Sequence, residues 1–254
     1  MKIQIVGLGV VGLAQAYLSH KMGCEVFGYD IHNLQELPSY INFSTRLHSD
    51  MDINFICTQE LHVEKAIQSL IENHVSGLYV IKSSTLPKTT ETLSKKYQIH
   101  ICHNPEFLRE KYYLLDVLNP SRIIIGQCCP DHGRILANFY EPLNRPIYVT
   151  DPTTSELVKL VVNTLRSMII TFWNEIYELA TALNLNIREV ADLVNQVGTI
   201  GSYEGGNWGT RFFGKKFGGK CLPKDLDNLI DAFLQHNLNP ILLRAVRESN
   251  NLKE

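Results

Sequence analysis

The seven residues "VGLGVVG", 6 to 12, close a run of β-branched residues and open a stretch with helical pattern. Three glycines at this spacing leave few folds open. Gly7 permits a tight turn, Gly9 lets the backbone approach a pyrophosphate, and Gly12 allows close packing of helix on strand, with the helix N-terminus facing the anion. Asp30 ends the next strand-like run, "EVFGYD". A carboxylate there accepts the hydroxyls of an adenine ribose and repels a 2'-phosphate, so NAD is expected in preference to NADP.

The same alternation of strand and helix continues. "INFICT", "LYVIKSS", "IHIC", "RIIIG" and "PIYVT" read as further strands. Nearly continuous apolar strands with helical crossovers predict an α/β fold, a Rossmann-type doubly wound parallel sheet over residues 1–150. At Asp151 and Pro152 the pattern changes to one long helix with hydroxyl residues at its start. Another helix is expected at about 186 to 196, then a glycine-rich loop from Gly198 to Gly219, then "KDLDNLIDAFLQ" as helix. Residues 151–254 therefore read as a helical central domain that carries the loop.

Lys and Arg number 24 against 26 Asp and Glu, a formal charge of -2. No global basic field exists for nucleic acid or an anionic membrane, and any anion site must be local. Glycines interrupt the N-terminal apolar run before it reaches the roughly 18 residues of a membrane span, so a cytoplasmic protein is expected. The six cysteines show no paired CxxC spacing, and adjacent Cys128 and Cys129 cannot easily bridge each other, so reduced thiols are expected. His100, Cys102 and His103 alternate faces on a strand and lack a second ligand pair; no metal is expected.

Cys221 stands apart, in "FGKKFGGKCLPKD". Glycines give access, while Lys220 and Lys224 favour a thiolate if they face it. Beside a nicotinamide, such a thiolate can add to an aldehyde, and the adduct can lose a second hydride to give a thioester for water to cleave. Lys159 and Asn163, four apart on the long helix, share a face and can converge on one oxygen. A helical "EFLRE" would bring Glu106 and Glu110 together in the same way.

These segments resemble the UDP-glucose/GDP-mannose dehydrogenase family. "FGGKCLPKD" is similar to its catalytic segment, "NPEFLREKYYLLDVLNPSR" to a second block, Lys159, Asn163 and "NE" at 174 to 175 to a third, and "SSTLPKTT" to its STxP block. The resemblance implies Cys221 as nucleophile, Lys159 and Asn163 as oxyanion donors, Asp225 as the base of the first oxidation, and Glu106 and Glu110 with Thr85 as the groups that handle water. It also implies cofactor contacts at Gly7, Gly9, Val10, Val11, Gly12, Asp30, Thr58, Thr85 and Glu110. Substrate contacts are implied at Glu106, Phe107, Leu108, Lys159, Asn163, Gly218 and Cys221, with a nucleotide sugar as substrate.

Several features depart from the family pattern. Full-length members carry a further nucleotide-sugar-binding domain, which a chain ending at Glu254 is expected to lack; a partner chain, or Lys215, Lys216 and Arg211, would then supply its contacts. "ICTQ" stands where the family has a proline-rich block, and Lys111, Tyr113 and Lys216 replace small residues. A single-step hydroxyacid dehydrogenase of the 6-phosphogluconate type and a non-catalytic NAD-binding homologue are the competing readings, the first of which needs no nucleophile at Cys221. Leu157, Leu160, Val161, Leu165, Ile169, Phe172, Trp173 and Ile176 give the long helix more apolar surface than one core stripe requires, and a homodimer is expected.

Overall fold

A computed structural model describes residues 1–32, 34, 36–196 and 214–253. Eight strands form one sheet: β1 (Lys2–Val6), β2 (Glu25–Tyr29), β3 (Ile41–Ser44), β4 (Ile53–Ile56), β5 (Leu78–Ile81), β6 (Ile101–His103), β7 (Ile123–Gly126) and β8 (Ile147–Thr150). Their order is β3-β2-β1-β4-β5-β6-β7-β8. The reversal of order between β1 and β4 is the switch point at which doubly wound sheets bind dinucleotides. β3 is the strand that sequence reading missed. It has four residues and lies at an edge, too short to show a period.

The parallel expectation holds from β3 through β6 and fails beyond. β7 runs antiparallel to β6 through one residue pair, His103 with Gly126, and β8 follows β7 in parallel. A parallel return needs a long crossover. The 104–122 link contains one six-residue helix, α4 (Tyr113–Leu118), and the rest of it carries the "NPEFLRE" segment.

Alternation along each strand divides the core between two faces. Ile5, Phe55, Val80 and Cys102 pack on one side, and their neighbours Val6, Ile56, Ile81 and Ile101 on the other. Helices α1 (Val10–Lys21), α2 (Val63–Glu72), α3 (Thr89–Tyr97) and α5 (Pro130–Tyr140) connect the strands.

Two compact units are present, Met1–Lys159 and Leu160–Glu254. Helix α6 (Pro152–Ala182) runs through the divide. Asp151 starts it, accepting from the Thr154 backbone N–H at 2.9 Å and from its hydroxyl at 2.6 Å. The divide between the compact units therefore falls inside the helix, after Lys159. The first turns of α6 belong to the sheet unit because Ser155, Glu156 and Lys159 are buried there by polar contacts.

The second unit contains the rest of α6 with α7 (Ile187–Gln196), α8 (Leu222–Gln235) and α9 (Ile241–Asn251). Leu160, Ile170, Phe217, Leu226, Ile230 and Val246 form its core. Helix α8 begins two residues before the expected Lys224, with Pro223 in its first turn, where its missing N–H costs nothing. The stretch 197–213, with Arg211 and most of the glycine-rich loop, lies outside the described residues. Among the described residues, no helix is long and apolar enough to cross a membrane.

Candidate active site

The N-terminal cradle is built as its glycines require. Gly7 sits at φ 93°, and a Cβ on Gly12 would fall 1.9 Å from the Gly7 carbonyl oxygen. A side chain at either position would break the turn. A Cβ on Gly9, in contrast, would meet nothing within 4 Å. That glycine faces open space, as needed where backbone approaches a phosphate. Val10, Val11 and Gly12 form the first turn of α1, whose N–H groups lack acceptors inside the helix. Asp30 is fixed by accepting from the Leu8 N–H at 2.9 Å and the His32 N–H at 3.0 Å. Thr58 Oγ1 is buried and finds no partner among the described residues, an orphaned donor just past the end of β4, beside the switch point. The cradle, the carboxylate and the orphaned hydroxyl all fit a dinucleotide.

A polar cluster gathers beyond the ends of β5 and β6 in the same unit. Lys159, 3% exposed, donates to the Glu106 backbone carbonyl at 2.5 Å and to its carboxylate at 3.1 Å, with the Phe107 ring 5.2 Å away. The other Glu106 oxygen accepts from the Leu108 N–H at 2.6 Å. Burial works to raise the Glu106 pKa, but Lys159 and the Leu108 amide outweigh it and hold the carboxyl below its ordinary range. Glu106 is therefore an anion at neutral pH.

Behind this pair lies a network that sequence reading missed. Lys82 is buried, donates to Asn104 Oδ1 at 2.8 Å and to the Tyr140 hydroxyl at 3.3 Å, and burial pushes its pKa down to about 8. Burial likewise pushes His103 to about 3, so the ring is neutral. Its Nε2 faces the Ser83 carbonyl at 3.2 Å and must carry the proton, which leaves Nδ1 to accept from the Ser155 hydroxyl at 2.9 Å. Thr85 is buried and donates to Glu156 Oε1 at 3.3 Å. That same oxygen accepts from Thr90 N–H and Oγ1 at the start of α3, and burial raises the Glu156 carboxyl. Ser155, Glu156 and His103 are distant in sequence from the groups they bond and carry no spacing signal, so these partners were invisible before the fold.

In the helical unit, Cys221 is exposed and occupies the N-cap of α8, where the helix end favours a thiolate. Its carbonyl accepts from the Asp225 N–H at 2.8 Å, placing that residue one turn on. Asp225 is fully buried; Asn163 Nδ2 donates to one of its oxygens, and Lys224 Nζ stands 3.1 Å from the other. Asn174, from the "NE" pair, donates to the Lys215 carbonyl at 2.8 Å, and Asn250 clasps Phe217 through both backbone groups. These two amides fix the segment leading to the cysteine. Gly218 is exposed, with nothing within 4 Å of a Cβ placed on it.

Glu110 is placed otherwise than a helical "EFLRE" would have it. Residues 104–109 carry no helix, and Glu110 is exposed in a separate 3-10 turn, Glu110–Tyr112. The chain stays open there because Arg109, through its N–H and guanidinium, grips Asp116 at 2.6 to 2.9 Å. Glu106 alone of the two reaches Lys159. Cys24, Cys57, Cys102, Cys128 and Cys129 are reduced, and burial pushes the Cys57 thiol up to about 12. Cys128 and Cys129, which carried no expected role, have sulfurs within 4.8 Å of ring nitrogens of His100 and His132.

A Rossmann-type sheet with a dinucleotide cradle, followed by a helical unit bearing an N-cap thiol and a buried acid, defines the nicotinamide-dependent dehydrogenase class. Residues 41–144 match the NAD binding domain of the UDP-glucose/GDP-mannose dehydrogenase family, and residues 153–252 match that family's central domain. The UDP-glucose 6-dehydrogenase of Campylobacter jejuni is 31% identical over 100% of this chain and 73% of its own length. A UDP-glucose dehydrogenase structure from Pyrobaculum islandicum superposes with a TM-score of 0.86 at 25% identity, over 98% of this chain and 68% of that one. A GDP-mannose dehydrogenase structure from Pseudomonas aeruginosa gives 0.70 at 25% identity, over 100% and 69%. The chain belongs to the UDP-glucose/GDP-mannose dehydrogenase family, and its cofactor is NAD.

Proposed function

We propose that the chain is an NAD-dependent nucleotide-sugar 6-dehydrogenase of the UDP-glucose to UDP-glucuronate type, making a uronate by two successive oxidations. The observation that carries this reading is Cys221 at the N-cap of α8 with buried Asp225, held by Asn163, one turn further on. A single oxidation needs no thiol. NAD, when bound over Gly9 and against Asp30, supplies the acceptor for each hydride, one per oxidation.

Asp225 takes the proton of the sugar's C6 hydroxyl as the first hydride leaves, which gives an aldehyde. The Cys221 thiolate then adds to the aldehyde carbon, forming a C–S bond, while the Lys159 ammonium and the Asn163 amide donate to the oxygen that gains charge. Loss of the second hydride from that adduct gives a thioester. Glu106 and Thr85 orient water onto the thioester carbon; the C–S bond breaks, the thiolate departs, and the carboxylate forms with release of its proton. Phe107, Leu108 and Gly218 line the sugar, and Thr58 and the first turn of α1 hold the cofactor. Glu110, exposed and apart from the Lys159 contacts, keeps only a cofactor-side role.

We further assign a cytoplasmic homodimer through α6. Leu157, Val161, Phe172 and Leu179 are all exposed and recur along one helical stripe, whereas Leu160 and Trp173 turn to the core. The test of the whole reading is to supply purified protein with NAD and a panel of UDP- and GDP-sugars and to measure NADH against sugar consumed. Two NADH per uronate is the expected result. One NADH per product, or turnover of a simple hydroxyacid in place of a nucleotide sugar, overturns it.

A further inference from the structure

The antiparallel turn of the sheet at β6 and β7 has a chemical consequence at its other end. His103 pairs with Gly126, so continuing that register sets residue 100, just before β6, opposite residue 129, just after β7. Residue 100 is a histidine; residue 129 is a cysteine preceded by another. Cys129 is the N-cap of α5, and His132 stands in its first turn. One ligand atom from each of His100, Cys128, Cys129 and His132 lies within 4.8 Å of all the others. His132 Nδ1 is 3.2 Å from Cys128 Sγ and 3.4 Å from Cys129 Sγ, and the two imidazoles meet edge-on at 5.0 Å.

We propose that His100, Cys128, Cys129 and His132 form a tetrahedral site for zinc(II) that ties the start of β6 to the start of α5. Zn–S and Zn–N bonds of about 2.3 and 2.0–2.1 Å set a sulfur-to-nitrogen edge of about 3.5 Å in a tetrahedron. Both measured S–N distances already stand near that value. The widest separation needs a closure of about 1 Å, within reach of a side-chain rotation in the exposed His100.

The donor set selects the metal. Two thiolates and two imidazoles suit a borderline-soft tetrahedral ion and exclude calcium and magnesium, which take oxygen. Four protein ligands complete the sphere and leave no open position for substrate, so the site is structural. On binding, each cysteine releases one proton to solvent. The dication with two thiolates and two neutral imidazoles is then uncharged, as suits three half-buried ligands. Cys102 Sγ, 3.5 Å from Cys128 Sγ, is placed as an S–H donor to that thiolate. The benefit is local: β6 and β7 share one bridging residue pair, and the metal closes that junction from the end away from Lys82 and Glu106.

The experiment measures metal on protein purified without a metal-affinity tag, exposed to excess zinc and dialysed. About one zinc per chain is expected by mass spectrometry of the elements. Cobalt(II) in its place should give absorption of tetrahedral intensity with thiolate charge-transfer bands. A Cys129→Ser, His132→Ala double variant should retain less than about a tenth of the zinc, while Cys102→Ser and Cys221→Ser keep it. Wild-type protein that holds less than about a tenth of a zinc, or a cobalt spectrum without thiolate bands, overturns the site whether or not the double variant folds. Zinc retained by the double variant overturns it too. So does a Cys102–Cys128 disulfide found by intact mass in place of metal.

Discussion

Lys159 is tied twice to Glu106, donating to its backbone carbonyl at 2.5 Å and to its carboxylate at 3.1 Å. The carboxylate is the counter-charge that makes a nearly buried ammonium tolerable. Glu106→Gln leaves the carbonyl bond and removes the charge, and should cost about 3 kcal/mol of stability at pH 7 by urea denaturation. Glu110→Gln, on an exposed residue, should stay within about 0.5 kcal/mol of the parent. Equal losses in the two variants would remove the pairing from its assigned importance.

Cofactor choice rests on Asp30, oriented by the Leu8 and His32 amides. Calorimetry should show NAD binding at least about tenfold tighter than NADP, since a 2'-phosphate would face a carboxylate. Asp30→Ala should narrow that ratio mainly by weakening NAD. An unchanged ratio in the variant would show that Asp30 does not read the ribose.

Cys221 should react with iodoacetamide faster than Cys57, because one sulfur is exposed at a helix N-terminus and the other is held by burial near a pKa of about 12. Cys221→Ser should abolish uronate formation, as a hydroxyl keeps its proton and leaves poorly after acylation. Peptide mapping and NADH yield check the two statements. A serine variant that makes uronate at the parent rate would discard the two-step chemistry.

The exposed stripe of α6 should bury itself in a second copy. Light scattering at micromolar concentration should give the mass of a dimer, and Phe172→Glu should give that of a monomer. Phe172 is 55% exposed, so the substitution leaves the core of the unit intact. A monomeric parent protein would end the assignment.

Stability should fall on acidification. His103 titrates near 6.5 when unfolded and near 3 in the fold, so between those values the unfolded chain binds the extra proton and stability rises with pH. The full window is worth on the order of 5 kcal/mol. Glu106, held below its ordinary range, adds to the loss in acid; Glu156, raised by burial, opposes it, because its proton is held more tightly in the fold. From pH 7 to 4.5 denaturant unfolding should register a net loss of about 2–3 kcal/mol, and His103→Asn should shrink that difference. A variant with the same pH slope as the parent would show that His103 is not its source.

Gly7, Gly9, Gly12 and Asp30 were legible in the chain because a dinucleotide cradle is made of neighbours: strand, turn and helix follow each other within thirty residues, and each glycine answers a local steric demand. The one-turn spacing of Cys221 and Asp225 was legible for the same reason, as was the placement of Lys159 and Asn163 on one helix. What the chain did not disclose lies wherever partners are distant in sequence. The tautomer of His103 depends on Ser83 and Ser155 and its neutral state on burial, the charge of Glu106 on Lys159, and the lowered pKa of Lys82 on burial beside Asn104 and Tyr140. None of these has a spacing to read. The clearest case is His100 with Cys129, brought together because β7 runs antiparallel to β6, a reversal that only the packed sheet decides. Local sterics and periodicity are encoded within a few residues, whereas desolvation, ion pairing and ligand geometry exist only after strands remote in the chain have been set side by side.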